Sequence, residues 1–472
     1  MRFEGHIDVC RPDLVAGWAR DAAAPGQTLR LSAFAGVVPL GACVASGARA
    51  DLGRAGIGDH GFSFRPPHAL TPDERDCLHF RTEGSASALF DAFGAVQQNP
   101  FLRTPPPPPA QPRFRRCVLH IGTEKTGSTS LQRFLALNRD ALLARGVFVP
   151  ASLAPADPEG ALNHSDLAAL ALADWRLDDP LRLGRGVADA AALARFRERA
   201  AADLAAEIAV APVGCDTLLL SSEHCHSRVL LLHEIATLHR FLTPWVGGFE
   251  VVVYLRPQHE MAMSQYAMQL LAGMEGAEML PPLPYPAGYA RTRGTDLAYF
   301  DYAGLLSRWS AVFGRAALRP ALFGPDTLAE GDVVVDFCRR IGVDIATLPR
   351  PARLAGNISG RGQRFLAAFR QAMRAEGAAE LPGMWEFVAG NLRHVEPGSG
   401  MTPARGAVAA FLGQFAAGNE RVRAEWFPVR ERLFEVDLAR FPDAAEVEHL
   451  SGEEAMAVLV RLLRRAAARR SS

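Results

Sequence analysis

Residues 104–112 read TPPPPPAQP. A run of five prolines fixes φ, removes backbone donors and favours a stiff polyproline II rod. Neither a helix interior nor a central strand can pass through it. The chain is therefore expected to fold in parts: a head at 1–103, a linker at 104–113 and a body at 114–472. With 472 residues in total, both head and body are long enough to bury a core.

The head reads as strands and turns. TLRLSAFA (28–35) alternates apolar and polar residues, and VVPLGACVA (37–45) follows the turn at Gly36. HGFSF (60–64) and CLHFRTEG (77–84) are two more short candidates. Short strands at regular spacing predict a small all-β, sandwich-like domain. VAGWARD (15–21) and ARADL (48–52) resemble a β-sandwich accessory module of bacterial glycan-modifying enzymes. Trp18 reads as a core aromatic, with a sugar platform as the alternative.

The body alternates between two periods. CVLHIG (117–122) is a short buried strand, and Leu131, Phe134, Leu135 and Leu142 mark one face of the helical stretch behind it. DTLLLSSE (216–223), FEVVVYLRP (249–257) and LRPALFG (318–324) are further strands. GDVVVDFCRRIG (331–342) and YFDYAGLLSRWSAVFG (299–314) are helical. This alternation predicts an α/β body: a P-loop-type, three-layer parallel sheet with helices on both faces. Ligands in such sheets lie beyond the carboxyl ends of the strands, so the residues just after each strand matter most.

After the first of these strands comes GTEKTGST (122–129). Of the 51 lysines and arginines in the chain, Lys125 alone is lysine. Gly122 and Gly127 permit a tight turn and close approach of backbone to an anion. Ser128, Thr129 and Ser130 open a helix, whose free N–H groups and dipole favour a phosphate. The two glycines have Walker A spacing, but Ser128 stands where that motif has its lysine, and Lys125 lies inside the loop instead. Lysine is a compact point charge and arginine a broad planar fork, so a loop wrapped tightly on one oxygen cluster suits the former.

The string IGTEKTGSTSLQ resembles the 5′-phosphosulfate loop of sulfotransferases that use 3′-phosphoadenosine 5′-phosphosulfate (PAPS), in their bacterial and carbohydrate branches. The resemblance implies that Gly122, Thr123, Glu124, Lys125, Thr126, Gly127, Ser128, Thr129 and Ser130 hold the donor. It also implies that Lys125 stabilises the leaving group at the bridging oxygen. VVVYLRPQHEMAMSQY is similar to the family's 3′-phosphate motif, with Arg256 at a strand end and Ser264 eight residues on, about two helical turns away. An arginine binds phosphate bidentately. NISGRGQRF (357–365) matches the family's C-terminal 3′-phosphate segment poorly, with Arg361 as its candidate.

Transfer of a sulfuryl group requires positioning, charge stabilisation and a base for the acceptor proton. The candidates are Glu223, then His224, both directly after a strand, and His164 in ALNHSDL. Glu223, His224, Cys225 and His226 do not read as a metal site, because neighbours on extended chain point opposite ways. GMEGAEMLPPLPYPAGYARTRG (273–294), with Tyr285, Tyr289, Arg291 and Arg293, reads as a surface or acceptor loop.

Composition narrows the partners. The 51 basic and 51 acidic residues cancel, against nucleic-acid binding. The start MRFEGHIDVCRPDL lacks a signal-peptide pattern, and no apolar run approaches the length of a membrane span. Seven cysteines without CxxC spacing read as reduced thiols of a cytosolic protein. VLVRLLRRAAARR (458–470) is a basic helix, either solvated or lying on an anionic membrane. The expected activity is PAPS-dependent sulfation of a hydroxyl acceptor such as a glycan, with no metal. The alternatives are a P-loop kinase or NTPase, and a non-catalytic glycan- or nucleotide-binding module.

Overall fold

The computed structural model describes residues 3–470 apart from 22–23, 36–37, 55, 71–73, 76–77, 83–108, 110, 158, 175, 231, 275–278, 281–298, 353–356, 377–382 and 446–449. Most of the proline run, Cys77, and Tyr285, Tyr289, Arg291 and Arg293 lie outside the described residues. The chain forms two compact units: one of 1–255, 283–351 and 417–431, the other of 256–282, 352–416 and 432–472.

The head, within the first unit, contains two antiparallel sheets. β1 (Phe3–Arg11), β2 (Leu14–Asp21) and β5 (Gly61–Phe64) form one, with β2 central. β3 (Leu29–Ala35), β4 (Val38–Ala45) and β6 (Leu78–Thr82) form the other, with β3 central. Alternate residues turn inward, so Val15, Ala19, Leu31, Ala33, Phe62 and Phe80 share one core. The Phe80 ring stands edge-on to Phe64, with centroids 5.8 Å apart. The same alternation corrects the reading of Trp18, which is half-buried on the face of β2 opposite Val15 and Ala19 rather than in the core. β1 was not expected from the sequence. A bulge between Ile7 and Val9 breaks its period of two.

In the body, β7 (Arg116–His120), β8 (Val147–Phe148), β9 (Thr217–Ser221), β10 (Phe249–Leu255) and β11 (Leu318–Leu322) form a parallel sheet in the order β11-β10-β7-β9-β8. Val118, Leu219, Val252 and Tyr254 project to one face. They meet Leu131, Phe134 and Leu135 of the helix Ser128–Leu137 and Val334 and Phe337 of the helix Val333–Arg340. On the other face, the helix Tyr302–Phe313 packs on β10 and β11. The chain leaves β7 toward β8 and β9 on one side and returns to β10 and β11 on the other. The strand order thus reverses beside β7, which puts its following loop at the switch point where ligands of such sheets bind.

The second unit is helical: Gln258–Leu271, Gly360–Ala375, Met384–Val395, Arg405–Gly413 and Gly452–Arg470. Val458 and Leu462 of the last helix are fully buried against Leu366, Val388 and Leu392. The apolar stripe of VLVRLLRRAAARR is thus core. Arg361 pairs with the buried Glu396 at 2.9 Å, and Arg461 binds the same carboxylate. Among the described residues no helix is long and apolar enough to cross a membrane. Cys10, Cys43, Cys117, Cys215, Cys225 and Cys338 are free thiols.

Phe337 is fully buried between helix and sheet. Phe337→Ala should lower unfolding free energy by about 3–5 kcal/mol through lost contacts and an unfilled cavity. Urea denaturation checks this, and a loss below about 1 kcal/mol would contradict the placement of Phe337 in the core.

Candidate functional site

The loop after β7 is an extension of the sheet before it becomes a turn. Ile121 N–H donates to Val252 O at 3.0 Å, and Tyr254 N–H donates to Gly122 O at 2.6 Å. Thr123 donates to Tyr254 O from both its N–H (3.0 Å) and its Oγ1 (2.9 Å). The chain then turns sharply, with Thr126 Oγ1 donating to Thr123 O at 2.6 Å. Gly122, Lys125 and Gly127 have φ of 100°, 62° and 78°, all left-handed. For Lys125 that conformation costs about 1–2 kcal/mol. A Cβ on Gly122 would lie 3.1 Å from Glu223 Cβ, and one on Gly127 would lie 2.8 Å from Val333 Cγ1. Neither site has room for a side chain.

Gly127 is the N-cap of the helix Ser128–Leu137, and no side chain caps it. The first N–H groups, at Ser128, Thr129 and Ser130, therefore have no intrahelical carbonyl to meet and carry the positive end of the dipole. Ser128 is buried, Thr129 half-buried and Ser130 exposed. Lys125, half-buried, sits in the same turn. This arrangement is chemically suited to an anion of phosphate size.

Glu223 follows β9 and stands against the first glycine of the loop. Its Oε2 accepts from Gln132 Nε2 at 2.5 Å, and its Oε1 accepts from Asn163 Nδ2 at 3.2 Å. Gln132, almost fully buried, also donates to Ser221 Oγ at 3.4 Å, and Ser221 Oγ is 2.8 Å from His120 Nδ1. Two amides thus fix the orientation of a half-buried carboxylate at the carboxyl end of the sheet.

The ALNHSDL segment does fold back onto this end of the sheet, but His164 does not face the loop. Its Nδ1 accepts from Ser221 N–H at 3.1 Å and its Nε2 hydrogen-bonds Pro150 O at 3.0 Å. Its own N–H donates to Ser221 O at 2.9 Å. The ring is completely buried, and burial pushes its pKa down to about 4. The neighbouring Asn163, missed from sequence, is the residue that reaches Glu223. His224 is half-buried, with Nδ1 4.0 Å from Glu124 Oε1 and no hydrogen-bond partner for that nitrogen.

Glu124 is held from behind. Tyr299 OH donates to its Oε2 at 2.8 Å, and its N–H points at His226 Nδ1 at 3.5 Å. His226 Nε2 hydrogen-bonds Tyr299 O at 3.0 Å, with the two rings 4.8 Å apart. Burial pushes the His226 pKa down to about 4. Burial alone would raise the Glu124 carboxyl. The Ser227 hydrogen bond and neighbouring positive charge, that of Lys125 included, outweigh it, so the group lies below its ordinary value.

Arg256 and Ser264 belong to the second unit, the loop and Glu223 to the first. Arg256 directly follows the last residue of β10, and its Nε donates to Glu260 Oε2 at 3.1 Å. Glu260 also accepts from Arg440 at 2.9 Å. Ser264 is half-buried on the helix Gln258–Leu271. Among the described residues no group of His, Cys, Asp and Glu side chains is placed to hold a metal ion.

No protein-family model matches the chain, and no curated protein matches it. Among solved structures, a sulfotransferase from Alicyclobacillus acidocaldarius is similar over 59% of this chain and 100% of that one, with 18% identity and a TM-score of 0.31. A likeness that weak carries no argument about chemistry.

His164 supplies a pH test of this geometry. Its imidazole is neutral in the folded state down to about pH 4, whereas the unfolded chain takes up the proton near 6.5. Its contribution to stability is therefore complete above pH 6.5 and is lost as pH falls toward 4. Between pH 7 and 5 the wild type should lose about 2 kcal/mol more than His164→Gln in urea unfolding. Equal losses would mean that the ring is accessible and protonated when folded.

Proposed function

We propose that this chain is a sulfotransferase that moves a sulfuryl group from PAPS to a hydroxyl acceptor. The observation that carries the reading is Glu223 held against Gly122, which brings an oriented carboxylate to the start of the loop that carries Lys125 and ends at an uncapped helix N-terminus. The likeness of IGTEKTGSTSLQ to the family's donor loop names the anion. The acceptor class, a glycan hydroxyl, rests on that likeness alone, as does the reading of residues 1–103 as an accessory module on a body at 114–472.

In this reading Glu223 takes the proton of the acceptor hydroxyl as its oxygen bonds to sulfur. The bond from sulfur to the bridging phosphate oxygen breaks, and its electron pair stays on that oxygen. Lys125 and the N–H groups of Ser128, Thr129 and Ser130 stabilise the charge that develops there. Gln132 and Asn163 aim the Glu223 carboxylate. The Tyr299 hydrogen bond fixes the direction of the Glu124 carboxylate. Arg256 and Ser264 are proposed for the 3′-phosphate on their sequence spacing. His224 is the second choice of base. His164, with both ring nitrogens engaged, serves as a tie that carries Asn163.

Calorimetry separates this from the kinase reading. Wild type should bind 3′-phosphoadenosine 5′-phosphate more tightly than ATP–Mg²⁺, and Lys125→Ala should weaken that binding. Tighter binding of ATP–Mg²⁺ would overturn the proposal, and equal binding of the bisphosphate by Lys125→Ala would remove the lysine's role. With a sulfated product assayed, Glu223→Gln should cut kcat by about 10²–10⁴-fold while leaving bisphosphate affinity in place. Lys125→Arg should lose most activity although the charge is kept. Binding without turnover in the wild type would favour the non-catalytic module.

A further inference from the structure

The helix Ala416–Trp426 buries only one side chain, Val422. Apolar packing therefore gives a weak account of why it lies along the helix Tyr302–Phe313. The two come close at one end, where a Cβ on Gly418 would be 3.6 Å from Ala303 Cβ. From that point they flank a half-open cleft of about 380 Å³, within the range of small-molecule sites.

The walls mix polar groups with the apolar Ala303, Leu306, Ala311 and Val422. Ser307 and Ser310 line one side, and Arg315, Arg421, Glu425 and Trp426 the other. Three of these satisfy one another. The Arg315 guanidinium lies over the Trp426 ring at 3.9 Å, is 3.8 Å from the Glu425 carboxylate and donates to Glu425 O. Two polar groups remain unsatisfied. Ser310 Oγ is buried with no hydrogen-bond partner, a situation that native proteins rarely leave unfilled. Arg421 makes no hydrogen bond or ion pair among the described residues. Two guanidinium groups against one carboxylate leave the cleft with one net positive charge.

We propose that this cleft binds a monoanionic polyol of monosaccharide size. Its anionic group pairs with Arg421. Its hydroxyls meet Ser307 and Ser310, with Glu425 accepting from one of them. The Arg315–Trp426 stack forms a fixed rim. The site stands independently of the proposed sulfuryl transfer.

The test is calorimetry on the full chain with D-glucuronate as probe and D-glucose as its neutral counterpart. Glucuronate should bind in the millimolar range or tighter, and glucose at least about tenfold more weakly. Arg421→Ala should weaken glucuronate at least about tenfold without changing the melting temperature, because Arg421 is an exposed residue with no partner to lose. Arg421→Lys should restore part of the affinity, and Ser310→Ala should cost a few-fold. Undetectable glucuronate binding, equal affinity for glucose, or wild-type affinity in Arg421→Ala would each overturn the proposal.

Discussion

Tyr254 ties both ends of the loop 122–127 to the sheet. Its backbone takes three hydrogen bonds from or to Gly122 and Thr123, which fixes the loop's beginning as part of the ladder. Its hydroxyl, deep in the core, donates to Asp336 at 2.8 Å. Asp336 lies on the helix Val333–Arg340, whose first residue, Val333, fills the space beside Gly127 at the loop's end. Each hydrogen bond contributes about 1 kcal/mol net. Together they are of the right size to offset the left-handed conformation at Lys125. The turn is held from its flanks, by the sheet at Gly122 and Thr123 and by the helix Val333–Arg340 at Gly127.

The electrostatics of the site follow from where its two carboxylates are directed. Next to the proposed donor, Glu124 and Glu223 are poorly placed unless each is restrained. Glu124 is held by the Tyr299 hydroxyl and surrounded by His224, His226 and Ser227. Glu223 is gripped by two side-chain amides, which donate hydrogen bonds but carry no charge. An amide pair orients a carboxylate without placing a full positive charge beside it. The buried histidines His120, His164 and His226 are neutral, since burial pushes their pKa values down to about 3, 4 and 4. They serve as hydrogen-bonding spacers beneath the site and add no positive charge to it.

Much of the architecture was legible because buried parallel strands are continuous apolar runs. β9, β10 and β11 lie inside three of the stretches read from hydrophobicity, and β7 overlaps the fourth, starting one residue earlier. β8 escaped because two residues carry no periodicity, and β1 because its bulge scrambles the alternation. The candidate site divided in the same way. The loop was legible because its glycines, lysine and hydroxyls are consecutive, and Glu223 because it directly follows a strand. Its partners were not. Asn163 and Gln132 are 60 and 91 residues away from Glu223, and Tyr299 is 175 residues from Glu124. Only the closed fold brings such pairs together. His164 marks the limit of the method: its segment arrives where expected, yet the ring turns to the backbone and its neighbour faces the carboxylate.

The half-buried position of Lys125 in the turn has a practical side. It is the chain's sole side-chain amine. Reagents that acylate amines have one internal target, and that target sits in the loop proposed to hold the donor. The protein thus carries a built-in reporter of occupancy, in which shielding of a single nitrogen reads out the loop without any engineered label.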